Sequence, residues 1–87
     1  MLRRFRNRRI QKEVERVLSQ ATRREVDVHF DVDKDILTLE FTADDPWEAI
    51  TEIVWDIESE CRVAVEVFGW EFVDDFRWEV PIAVFPL

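Results

Sequence analysis

Eighty-seven residues, of which 47% are apolar, provide for one folded domain but not for two. That composition excludes a disordered chain, and no apolar run reaches the length of a membrane-spanning helix. The net charge of −8 conceals two opposite halves: nine basic residues against two acidic ones through Arg24, and three against eighteen from Glu25 onward.

The segment up to about Arg24 predicts a basic amphipathic helix, with Ile10, Val14, Val17, Leu18 and Ala21 on one face. Leu2 and Phe5 fall off that stripe, so the first turns are expected to fray. Arg3, Arg4, Arg6, Arg8, Arg9 and Lys12 crowd this segment, and six cations at such density suit phosphate neutralisation. The first nine residues lack the apolar stretch of a secretory signal. An arginine-rich, acid-poor start is also found in mitochondrial presequences, but here the helical register continues unbroken toward Arg24. The cytoplasm is therefore the expected location.

Alternation comes next. Val26, Val28, Phe30 and Val32 point one way, with Glu25, Asp27, His29 and Asp31 opposite. A turn at 33–35 leads into a returning strand, with Leu37, Leu39 and Phe41 inward. A second helix is predicted over 44–60. Asp44 or Asp45 is placed to cap it, Pro46 suits its first turn, and Ile50, Ile53, Val54, Ile57 and Cys61 form its apolar stripe. Trp55 lies off that stripe, beside Glu48, Glu52 and Asp56. Glu48, Glu52, Asp56 and Glu60 repeat at i, i+4, where like charges repel by about 0.2–0.5 kcal/mol per pair.

A second alternating pair follows. Val63, Val65 and Val67 lead to Gly69, which predicts a bulge or bend, and the chain turns at 74–75. The last strand alternates Phe76, Trp78, Val80, Ile82 and Val84 with Arg77, Glu79, Pro81, Ala83 and Phe85. Pro81 favours a strand end or a sheet edge. The order α-β-β-α-β-β predicts an α+β domain spanning residues 1–87: one antiparallel four-stranded sheet with two helices on one face. Within it, a basic helix over 1–24 precedes an acidic hairpin-helix-hairpin body over 25–87. The apolar end of the last strand is expected to be covered, by the first helix or by a second copy in a homodimer.

Few residues fit chemistry. Cys61 and His29 are the sole thiol and imidazole, and the stripe places Cys61 in the core rather than beside His29. The run DVDKD opens like a calcium loop, yet it lacks the central glycine, and Thr42 stands where the bidentate acid belongs. No glycine-rich phosphate loop fits a chain with one glycine. No enzyme activity, metal or cofactor is expected.

Binding remains. Trp55 with Glu48, Glu52 and Asp56 offers an aromatic anchor in an anionic field, suited to a protein partner with a basic surface. The expected function is to bind and inhibit such a partner. In size and charge the chain is similar to small acidic inhibitors carried by phages and other mobile elements, which imitate a nucleic-acid backbone, although no motif here identifies such a family. The alternative expectation is nucleic-acid binding through Arg3, Arg4, Arg6, Arg8, Arg9 and Lys12.

Overall fold

The computed structural model describes residues 6–21 and 24–87. Its elements are α1 (Arg6–Ala21), β1 (Asp27–Asp31), β2 (Ile36–Thr42), α2 (Pro46–Cys61), β3 (Val63–Val67), β4 (Glu71–Phe72) and β5 (Arg77–Pro86). The fold is α+β, with all strands in one antiparallel sheet ordered β1-β2-β5-β3, and β4 also pairing with β5. The expected four strands become five because the edge beside β5 is broken. Val67 faces Ile82 and Glu71 faces Glu79, so four steps on the edge match three on β5. That is one extra residue, a bulge. Gly69 sits there with φ +137°, a conformation that side-chain-bearing residues rarely adopt.

The same bulge accounts for a proline inside β5. The Phe68 N–H donates to the Pro81 carbonyl at 2.9 Å, so the edge of Pro81 that lacks an N–H faces the irregular stretch. The edge expected at Pro81 is thus corrected: β5 is internal. Along its length β2 pairs with residues 77–82 on one side, and β3 pairs with residues 82–86 on the other. Where β2 ends, the Val84 N–H donates to the side chain of Asn7 at 2.8 Å. Over residues 77–82 β5 therefore offers a second copy no continuous free edge.

Leu37, Leu39 and Phe41 of β2 and Val80, Ile82 and Val84 of β5 face both helices in a shared core. Val14, Val17 and Leu18 seat α1, and Ala49, Ile50, Ile53 and Ile57 seat α2. Each fully buried aliphatic side chain contributes about 1.5–3 kcal/mol. Asn7, only 2% exposed, fixes the start of α1. Its Nδ2 donates to the Asp35 carbonyl at 2.7 Å while its Oδ1 accepts from Val84. Asp45 caps α2 by accepting from the N–H groups of Trp47 and Glu48 at 3.0 and 3.3 Å. Arg62, at φ +54°, ends the helix in the left-handed region.

On the sheet face away from the helices, Glu40 lies between Arg77 and His29 Nε2, the latter at 3.8 Å. Among the described residues no helix is long and apolar enough to cross a membrane. The fraying expected of the first turns, together with Leu2, Arg3, Arg4 and Phe5, lies outside the described residues.

Candidate interaction surface

The tryptophans are divided between closed and open positions. Trp78 is half-buried: its indole N–H donates to the Ala43 carbonyl at 2.9 Å, and Phe72 meets its ring edge-on at 5.2 Å. Trp47 and Trp55, in contrast, are 62% and 70% exposed, and Trp70 and Phe68 are exposed as well. These four belong to one groove between α2 and the bulged edge, about 610 Å³ in volume. Its helix wall includes Trp47, Thr51, Val54, Trp55 and Glu58, and its sheet wall consists of Val67, Phe68, Gly69 and Trp70. Trp47 and Trp70 touch across it, with ring centres 5.7 Å apart and planes tilted by 51°.

The local sequence makes this wall. Trp47, Thr51, Val54, Trp55 and Glu58 succeed one another at helical spacing, forming a second stripe beside the buried one. On the other side of the groove, the left-handed Gly69 takes the chain off the ladder between Val67 and Glu71, and Phe68 and Trp70 flank it. Monomeric proteins rarely leave so many contiguous aromatic rings in water. Glu58 is the sole charged residue of the lining, and its Oε2 accepts from the Val65 N–H at 3.1 Å.

The residues expected to act with Trp55 are distributed around the helix. Glu48 is exposed beside Trp47. Glu52 reaches across to Arg24, with 3.5 Å between charged atoms. Asp56 is half-buried, and its Oδ2 is shielded from water without a hydrogen-bond partner among the described residues. Burial, and then the neighbouring Glu52 and Glu60, raise its carboxyl above the ordinary range. Glu60 lines a recess with Arg16 and Gln20 of α1. Sequence reasoning therefore found the exposed indole of Trp55 but not its companions Trp47, Phe68, Trp70 and Glu58. The helical repeat from Trp47 to Glu58 was the available signal.

Of the cationic set, Arg8, Arg9 and Lys12 are exposed on α1, Arg3 and Arg4 lie outside the described residues, and only the backbone of Arg6 is described. Cys61 is half-buried against the core, and its thiol is pushed up by burial and by Glu13. Exposed His29 meets Glu40 on the opposite face of the sheet. In the DVDKD turn, Asp31 Oδ1 accepts from the N–H groups of Asp33 and Lys34, an arrangement that stabilises the turn. Among the described residues no group of three or more His, Cys, Asp or Glu is placed to hold a metal ion.

Fold and surface together define an α+β domain with an open aromatic groove flanked by acids. No protein-family model, curated protein or solved structure matches the chain.

Proposed function

We propose that this protein is a non-enzymatic binding domain that captures a partner protein carrying a basic surface, and inhibits it by covering that surface. The supporting observation is the groove: three tryptophans and a phenylalanine in contact with water, with no lysine or arginine in the lining. Interfaces draw most of their binding energy from a few buried aromatic anchors, and Trp47, Trp55 and Trp70 are in a position to serve as such anchors. Glu48, Glu52 and Asp56 add an anionic field on the adjoining face of α2, which steers a cationic partner and disfavours others. A cytoplasmic, charge-mimicking inhibitor of the mobile-element kind fits this chemistry.

The test is affinity capture with mass spectrometry, comparing the natural chain with a variant carrying both Trp47→Ala and Trp55→Ala. The expected result is loss of the captured protein at unchanged circular dichroism. Equal capture by both chains would sink the groove as the contact surface. Charge reversal of Glu48, Glu52 and Asp56 together separates anchoring from steering, since it is expected to slow association more than it speeds dissociation.

A second reading has its own support in the exposed Arg8, Arg9 and Lys12. In it α1 contacts nucleic acid, and replacing Arg3, Arg4, Arg6, Arg8 and Arg9 by Gln abolishes a low-salt gel shift. If the natural chain gives no shift at low salt, this second reading fails.

A further inference from the structure

The groove lies against an unpaired strand edge, and this specifies the shape of what fills it. β3 ends the sheet, and no strand pairs with its outer side among the described residues. Its inward donors are set by the bond from the Phe68 N–H to Pro81. Antiparallel pairing alternates, so the N–H groups of Ala64 and Glu66 also face β5, and those of Val63, Val65 and Val67 face outward. The contact of Val65 confirms this parity, because its N–H meets the Glu58 carboxylate instead of β5.

Glu58 thus stands where the carbonyl of a further strand would stand. An exposed row of strand donors invites pairing, and a charged side chain laid across it is a common way of blocking that pairing. Here the block is one side chain thick and reversible. The same carboxylate lines the groove, so a chain that takes over the Val65 N–H leaves a free anion among indole rings. A lysine or arginine satisfies that anion, and its charge is attracted to the ring faces as well. An added strand turns alternate side chains toward α2, into the groove, while its backbone supplies affinity independent of sequence. Exposed Glu48, Glu66 and Glu71 adjoin the lining residues along the chain and match the same sign of charge.

Resting on the groove reading above, we propose that β3 is a docking edge for an extended, lysine- or arginine-bearing segment of the partner protein. The segment displaces Glu58 from Val65 and seats alternate side chains against Trp47, Trp55 and Trp70.

The experiment pans the full chain against a displayed library of random peptides. The strongest binder is then synthesised as selected, with N-methyl groups on the alternate amides that would face β3, and with its cations replaced by Glu. Affinity is read by calorimetry and contact by backbone amide resonances. Expected are selected sequences in which cations alternate with apolar residues, and shifts at Val63, Val65 and Val67. N-methylation, cation replacement and Trp55→Ala are each expected to weaken binding by about tenfold or more. If the N-methylated peptide binds as well as its parent, strand pairing is overturned while the groove reading stands. If no peptide is selected and the tryptophan substitutions leave the captured partner unchanged, both fail. A concentration-dependent dimer in sedimentation that Trp55→Ala dissolves would overturn the proposal by making a second copy the occupant. Nucleic acid that shifts the same indole resonances would overturn it likewise.

Discussion

The two flanks of α2 begin from similar material and end differently. On the flank toward α1, Glu52 meets Arg24, Glu60 shares a recess with Arg16 and Gln20, and one Asp56 oxygen is shut away from water. On the flank toward the bulged edge, Trp47 and Trp55 stand open and the nearest carboxylate, Glu58, holds only a strand N–H. One carboxylate oxygen is thus enclosed on one side of the helix, where Glu52 and Glu60 stay exposed, and large apolar side chains are wet on the other. A chain selected for its own stability alone would favour the reverse. In the proposed function the open flank anchors the partner, while the flank toward α1 serves folding through the Arg24–Glu52 pair and steering through its acids.

Substitutions test that division. Ile53 faces the core between the two flanks, so Ile53→Ala is expected to lose about 2–5 kcal/mol in urea unfolding. Trp55→Ala, removing a larger side chain, is expected to stay within about 0.5 kcal/mol of the natural chain. A comparable loss at both positions would erase the contrast. Asn7→Ala orphans the buried N–H of Val84 and is expected to cost about 1–3 kcal/mol by the same measurement. Gly69→Ala has open space for its methyl group but inherits φ +137°. About 1–3 kcal/mol of strain should result, with amide shifts concentrated at Phe68 and Trp70.

The smallest effect concerns Asp56. Its carboxyl titrates above the ordinary 3.8 because burial and two nearby glutamates oppose its charge. The folded chain therefore holds this proton more tightly than the unfolded chain does. Stability from this group is complete below 3.8 and is lost as the pH rises through the elevated folded value. Asp56→Asn should raise the melting temperature slightly at neutral pH and leave it unchanged in acid. A lower melting temperature at neutral pH would mean that the ionised carboxylate has a partner.

Much of the fold was legible because its signals are local. The boundaries of β2 follow from the alternation of Leu37, Leu39 and Phe41, and the start of α2 follows from Asp45 and Pro46. The internal position of β5 was not legible. Pro81 signals an edge, and only a bulge formed several residues earlier makes a proline tolerable between two neighbours. Asn7 was silent too, since one amide among the arginines of α1 gives no sign that it serves a strand 77 residues away. The site was half legible. Trp55 stood out as an indole off the core stripe, but grouping it with acids followed charge, whereas packing groups it with rings. Phe68 and Trp70 join it only through tertiary structure, which no period within α2 encodes.

The bulge has one more consequence. Val67 pairs opposite Ile82 and Phe72 opposite Trp78, and both partners face the helices. On an unbroken strand, residues an odd number of positions apart look in opposite directions. The surplus residue corrects the count, and the loose stretch it creates is where Phe68 and Trp70 leave the ladder. Deleting Gly69 would let both ladders fuse into one smooth edge with every inward side chain still inward. Such a chain would set a regular strand against Pro81, which has no N–H to donate, and it would lose the sheet wall of the groove.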